Sequence, residues 1–401
     1  MPFAGRVLQL LSFLCVVSTA AGVSGATAAP EVLPENPPDE PLRGKFALKW
    51  SGLLVMNSVY SSRRMHPGAF AFFVGPYDVN YFTISPINTI AGFSIEGVTF
   101  ETVKLSGAIQ LSLRSPTPLL VTNVVSPQFY DVHLEARTER IRVYAGLFKS
   151  VLQMISPPTI NAFPNGYIPG QLGFPRPQVR VDLRARTSAT THVIAELAAV
   201  APTQTLDVGE GLLGGDAGFP DGFARLSFGG GETESKDEWQ SAHAIGISGH
   251  LGRRRFATDA GFFERATWSL GADLEFVLPT RTRFLGRAWM GSLVGDLGGA
   301  VFQTVSPRTL APIRARGFWV ALGQRLSKRF RTHVGFGVDD PKNADLGPEE
   351  RSMNQAAFAN VFWDWSRIIG FGMEASHWKT NMVGLAPAGA WRGEVVAIIH
   401  Y

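Results

Sequence analysis

Three arginines at alternate positions, Arg180, Arg184 and Arg186, share one parity of the segment "PQVRVDLRARTS", with Arg142 and Arg137 on the segments before it. On an extended chain, one parity is one face. If that face borders a water-filled passage, the arginines form a basic ladder. Rings of Arg or Lys in a narrow passage favour anions, because a carboxylate or phosphate meets positive potential while partly dehydrated. Asp182 interrupts the ladder, and Glu135 and Glu196 are placed to pair with its members. The alternative is that the arginines neutralise carboxylates across strands and stiffen a wall. Lys149 opens the stretch between these segments, Lys149 to Pro177, which holds six prolines and three glycines. A stretch that long without regular structure is usually functional or disordered, and its apolar content argues against disorder. The candidate selectivity residues are therefore Arg142, Lys149, Arg180, Asp182, Arg184 and Arg186.

The elements that carry these residues read as strands. In "TFETVKLSGAIQLSLRS", Val103, Leu105, Ile109, Leu111 and Leu113 face one way, and Lys104, Ser106, Gln110, Ser112 and Arg114 the other. The same period of two places Trp268, Leu270, Leu274 and Phe276 opposite Ser269, Asp273 and Glu275, and makes a hairpin of "YDVHLEARTERIRVYAGLF". Strands of about ten residues match a tilted membrane strand better than the ~5 to 6 of soluble sheets. A soluble sandwich gives the same alternation. Export, strand length and aromatics near strand ends favour a barrel: Trp50, Tyr60, Trp363, Trp365, Trp378, Trp391 and Tyr401 are expected in interfacial belts. The fold expected is an all-β transmembrane antiparallel barrel of about 16 strands, with 14 and 18 as neighbours, wide enough for an aqueous channel.

Three parts are expected. Residues 1–28 read as a signal peptide: Arg6, an apolar run from Val7 to Ala21, then Ala26-Thr27-Ala28. Residues 29–43 are a Pro-rich periplasmic linker without heptads, and 44–401 form the barrel. The only cysteine, Cys15, falls within the first part, so the mature chain has no disulfide or thiolate metal site. Removing Arg6 leaves 36 basic against 33 acidic residues, no footprint for nucleic acid. Glycine is plentiful at 43, charge is low at 17%, and the mean hydropathy of +0.07 is high for an exported chain. No cofactor or metal is expected. No G-x-S-x-G or H-E-x-x-H occurs, and "GISGH" (Gly246 to His250) has the wrong spacing for a nucleophile elbow, so no enzyme activity is expected. "GRRRF" (Gly252 to Phe256) reads as a headgroup-level or luminal edge.

Three stretches resemble the DcaP-type trimeric porins of Gram-negative outer membranes: "GFPRPQVRVDLR" (Gly173 to Arg184), Asp339 to Thr380 with its Asp-Asp-Pro loop and aromatic-rich strand, and the C-terminal strand ending in Tyr401. The resemblance implies an outer-membrane trimer that passes small negatively charged molecules such as dicarboxylates, with Lys149 to Pro177 folded into the lumen. The other reading of that stretch is an extracellular loop at a trimer contact. Expected partners are outer-membrane lipid and lipopolysaccharide, the barrel-assembly machinery through the closing strand, and further copies of the chain in a homotrimer. The competing function is a non-conducting structural or adhesive barrel, with a barrel enzyme behind it.

Overall fold

The computed structural model describes residues 47–100, 102–114, 126–202, 214–216, 218–231, 239, 241–258, 261–306 and 309–401. The expected signal peptide and Pro-rich linker lie outside the described residues. The chain forms a closed antiparallel barrel of 16 strands. Its first half comprises β1 (Ala47–Ser61), β2 (Tyr81–Ser85 and Ile90–Phe100), β3 (Val103–Arg114), β4 (Ser126–Arg137), β5 (Ile141–Phe148), β6 (Arg176–Arg186), β7 (Thr191–Val200) and β8 (Asp221–Gly230). The second half is β9 (His243–Thr258), β10 (Gly261–Val277), β11 (Thr282–Ser292), β12 (Arg314–Arg325), β13 (Phe330–Pro341), β14 (Arg351–Asp364), β15 (Ile369–Met382) and β16 (Ala388–His400). Each strand pairs with its sequence neighbour, and β1 closes on β16 from Leu53↔His400 to Ser61↔Arg392.

Closure leaves no open edge, which is what a sheet in hydrocarbon requires. The seam explains the aromatic terminus. Tyr401 exchanges backbone hydrogen bonds with Gly52 at 3.0 and 3.3 Å, and its ring lies across that glycine. A Cβ at Gly52 would stand 2.2 Å from the Tyr401 ring, so only glycine fits there. β2 breaks at Pro86, which has no N–H to give, and Asn88 turns left-handed at φ 68°. The Thr89 hydroxyl replaces the lost ladder bonds, accepting from Val55 N at 3.0 Å and donating to Val55 O at 3.1 Å.

One barrel end has short turns (138–140, 187–190, 278–281, 326–329, 365–368) and the other long loops (149–175, 293–313, 342–350), the asymmetry of porin barrels. The outward parity is apolar and exposed: Leu183, Ile247, Leu270, Phe318, Val334 and Val361 stand on it. Trp50, Trp363, Trp365 and Tyr401 lie exposed at the short-turn end, and Tyr60 and Trp391 at the other. Trp378 departs from this belt. It points inward, is 1% exposed, and donates its Nε1–H to Ser376 Oγ at 3.1 Å.

The reason is that the lumen has an apolar filling of its own. Three segments fold into it: a hairpin of Met65–Pro67 and Ala71–Val74, the stretch 149–175, and, of the loop 293–313, its described residues 293–306 and 309–313. Phe72, Phe73, Tyr167, Val301 and Phe302 pack there against Trp378, Ala356 and Ala390 of the wall. A second cluster joins Leu152, Leu172, Val294 and Leu297 to Phe223 and Trp289. Where loops replace water, the inner face of the wall turns apolar.

Candidate functional site

The stretch 149–175 crosses the lumen, so it is luminal and not an outer loop at a subunit contact. Ser150 caps its one helical turn, Val151–Gln153, by accepting from Leu152 N at 3.2 Å. Ile155 and Ile168 pack on Leu285, Trp319 and Phe358, while Ile160 and Phe163 reach Leu53, Phe362 and Val396. Polar wall groups pin the path. The Glu374 carboxylate accepts from Thr159 Oγ1 at 2.7 and 2.8 Å and from Ile160 N at 2.7 Å. Asn161 bonds both backbone groups of Ala71 at 2.7 and 2.8 Å, tying the crossing stretch to the inward hairpin. Trp289 Nε1 donates to Gly170 O at 2.8 Å. Gly170 itself is left-handed at φ 84°, and a Cβ there would lie 2.2 Å from Phe318 O, so only glycine lets the stretch lie against the wall.

The stretch 293–313 has a different anchor. Arg254 grips Asp221 with two parallel bonds of 2.7 and 2.8 Å and Asp296 at 2.7 and 3.1 Å. Arg176 adds bonds to Asp296 at 2.6 and 3.2 Å, and all of these side chains are buried. Burial alone would raise the Asp296 pKa; Arg176 and Arg254 outweigh it and hold the carboxyl below its ordinary value. Within the Gly252 to Phe256 stretch, Arg254 is thus luminal and structural, whereas Arg253 and Arg255 are exposed on the outside.

Below the crossing loop, toward the short turns, lies a cavity of about 1040 Å³. Its wall carries a row of ions on consecutive strands. Arg142 bonds Asp182 at 2.9 and 3.0 Å, and Arg180 bonds the same carboxylate at 2.6 and 3.0 Å and reaches on to Glu196. Arg225 then bonds Glu196 at 2.7 Å and Asp273 at 2.7 and 3.0 Å. Register makes the row: Arg142↔Asp182, Asp182↔Glu196 and Glu196↔Arg225 are cross-strand partners at one barrel level. The row extends to Arg287, opposite Asp273, which bonds Ser248 Oγ at 3.2 Å.

The expected ladder is therefore present on one face but interleaved with carboxylates. Arg142, Arg180 and Asp182 are buried in the row. Arg184 lies nearer the turns, 3.4 Å from His192 Nδ1 and under the Trp239 ring. Arg186 is apart from them, exposed at the rim and paired with Glu139 at 3.3 Å. The sequence reading did not single out Arg225, Arg283 and Arg331. Arg225 was legible, since it alternates with Phe223 and Ser227 on one parity; Arg283 and Arg331 lie beside turns, where parity alone does not place a side chain.

Lys149 stands at the neck, its ammonium donating to Met154 O at 2.9 Å. Its tip meets the open lumen, yet wall and loop enclose it. That enclosure, with Arg180, Arg225 and Arg283 near and Glu275 opposing them in part, brings its pKa down to about 8. Lys149 is a cation below that pH and neutral above it. Anion preference is expected to fall as pH rises from about 6 to about 9, with the midpoint near the Lys149 value, and Lys149→Met is expected to flatten the profile. Reversal potentials in a KCl gradient at each pH would read this out.

The sequence matches no protein-family profile and no curated protein. Solved structures do match in shape. The outer membrane channel DcaP of Acinetobacter baumannii superposes with a TM-score of 0.72 at 14% identity, over 89% of this chain and 97% of that one. OmpT, an outer membrane protein of Vibrio cholerae, gives 0.53 at 10% identity over 89% and 98%. The anion-selective porin from Comamonas acidovorans gives 0.56 at 9% identity over 89% and 100%. The chain thus has the fold of the outer-membrane porins, with the DcaP channel among its structural neighbours.

Proposed function

We propose that this protein is a passive diffusion channel of the Gram-negative outer membrane for small hydrophilic solutes, with a preference for anions such as dicarboxylates. One observation carries the preference: among the described residues, the cavity below the crossing loop is lined by nine Lys and Arg against five Asp and Glu. Counting Asp182 and Asp273 behind the lining, and Arg287 with them, leaves the cations in excess. Confined in a low-dielectric wall, that excess attracts anions as they shed water. Arg142, Arg180, Asp182, Arg184 and Lys149 set the field on this reading, and Arg186 guides solutes at the rim. The likeness to DcaP, an outer membrane channel, and to an anion-selective porin supports transport over catalysis. On the same reading, residues 1–28 are cleaved on export, 29–43 tether the barrel, Tyr401 closes the strand that the assembly machinery receives, and three barrels associate through their walls.

The apolar filling of the lumen favours a second reading, a structural barrel that does not conduct. Planar-bilayer recording separates the two. Stepped conductance with a reversal potential on the anion side is expected; silent insertion supports the structural barrel, and cation selectivity overturns the role given to the arginines.

A further inference from the structure

We infer that the outer wall at the long-loop end of β10 to β13 binds one phosphorylated, acylated glycolipid of the outer leaflet. The inference rests on the membrane reading of the barrel and adds a site to it. On β12 the outward positions change from apolar to cationic: Phe318 is followed upward by Arg316 and Arg314. Arg316 stands opposite Met290 on one side and Asp340 on the other. Trp268, Met290, Arg314, Arg316, Asp340 and Lys342 surround a groove of about 340 Å³ that opens outward. Its floor continues into the exposed apolar belt through Leu270.

Charge on the lipid face is costly at mid-membrane and tolerated only near the headgroups. Two arginines at successive outward positions therefore mark headgroup level, and at the long-loop end that is the outer leaflet. The bland reading is local neutralisation. Arg314 pairs with Asp345 at 2.5 Å and Arg316 with Asp340 at 2.9 Å. Among the described residues, three cations face only two carboxylates, however. The adjoining hairpin adds Arg253 and Arg255 around one Glu264, at 4.0 and 2.7 Å. The arginines stay accessible, with 53% and 77% of the Arg314 and Arg316 side chains exposed. Exposed pairs of this kind are weak, and a phosphate monoester offers more charge and more acceptor oxygens than either carboxylate. A phosphate between Arg316 and Lys342 would leave an acyl chain lying along Met290 and Leu270, where the groove meets the belt. A free phosphate would use the cations but not the apolar floor.

Native mass spectrometry of the detergent-solubilised barrel tests this with bisphosphorylated hexa-acyl lipid A, its dephosphorylated form, and inorganic phosphate. Retention of the bisphosphorylated lipid alone is expected, with occupancy about tenfold weaker in R316A/K342A and unchanged in R367A on the opposite rim. Equal retention by R316A/K342A, or displacement by millimolar inorganic phosphate, would overturn the site. R316C provides a second check, because the only other cysteine, Cys15, lies in the segment read as the signal peptide. A disulfide-linked dimer of R316C would put a second copy of the chain on this wall instead of lipid. Conductance of the same preparations is scored separately, so a silent barrel that keeps the lipid removes the channel reading and leaves the site.

Discussion

Arg254→Met is expected to release the stretch 293–313 from the lumen and raise single-channel conductance, while the barrel remains folded. Arg254 is fully buried and holds two carboxylates, Asp221 and Asp296, with four hydrogen bonds of 2.7 to 3.1 Å. Removing it leaves both acids buried, Asp296 with Arg176 and Asp221 without the arginine that held it, and breaking a buried ion pair in this way costs about 3–5 kcal/mol. The cost falls on the loop. The wall strands keep their ladders, and the loop is the part that can move to rehydrate Asp296. R254M/D221N/D296N removes the stranded charges together with the arginine and should recover much of the docking. Acid should mimic the single variant. Because the Asp296 pKa is depressed in the folded protein, its contribution is present above the ordinary carboxylate range and is lost as pH falls through the depressed value. Conductance histograms and protease access to 293–313 would check both arms; unchanged conductance in R254M would mean that this loop does not limit the passage.

The sequence was most informative where a face meets a single solvent. Outward residues meet hydrocarbon throughout, so period two located the strands, and Tyr401 and the interfacial tryptophans could be placed from their positions near strand ends. The inner face meets water in one region and packed loops in another. Trp378, Trp319, Trp289 and Phe223 all face inward and are buried, against the rule that luminal residues are polar. Its position near a strand end placed Trp378 wrongly in the interfacial belt, because nothing local in its strand reveals that Phe72 and Tyr167 fill the space before it. The inward hairpin at 65–74 and the loop after β11 were illegible for the same reason: their partners sit on other elements, from 38 to 306 residues away. The arginine ladder was legible as a face. Its pairing was not, since whether Asp182 meets Arg142, Arg180 or neither depends on cross-strand register, which short alternating segments fix only through the closed barrel.

That pairing shapes the second large effect, on ion selectivity. R180A/R225A is expected to shift the chloride-to-potassium permeability ratio toward cations by roughly sevenfold. Each lost charge, about 7 Å from a permeating ion in water-like dielectric, contributes roughly 0.6 kcal/mol before screening. Salt at about 0.1 M halves this, but the anion loses attraction while the cation loses repulsion, giving roughly threefold in the ratio per charge. The row decides which residues are exchangeable. Asp182 retains Arg142 when Arg180 is lost, and Asp273 retains Arg287 when Arg225 is lost, whereas Glu196 loses both of its arginines. Adding E196Q should therefore recover about threefold of that shift by removing the stranded acid, without restoring either arginine. If the arginines merely stiffen the wall, R180A/R225A would lower the temperature at which the barrel unfolds on a gel and leave the reversal potential in place. If they set the field, the reversal potential moves, and E196Q moves it back.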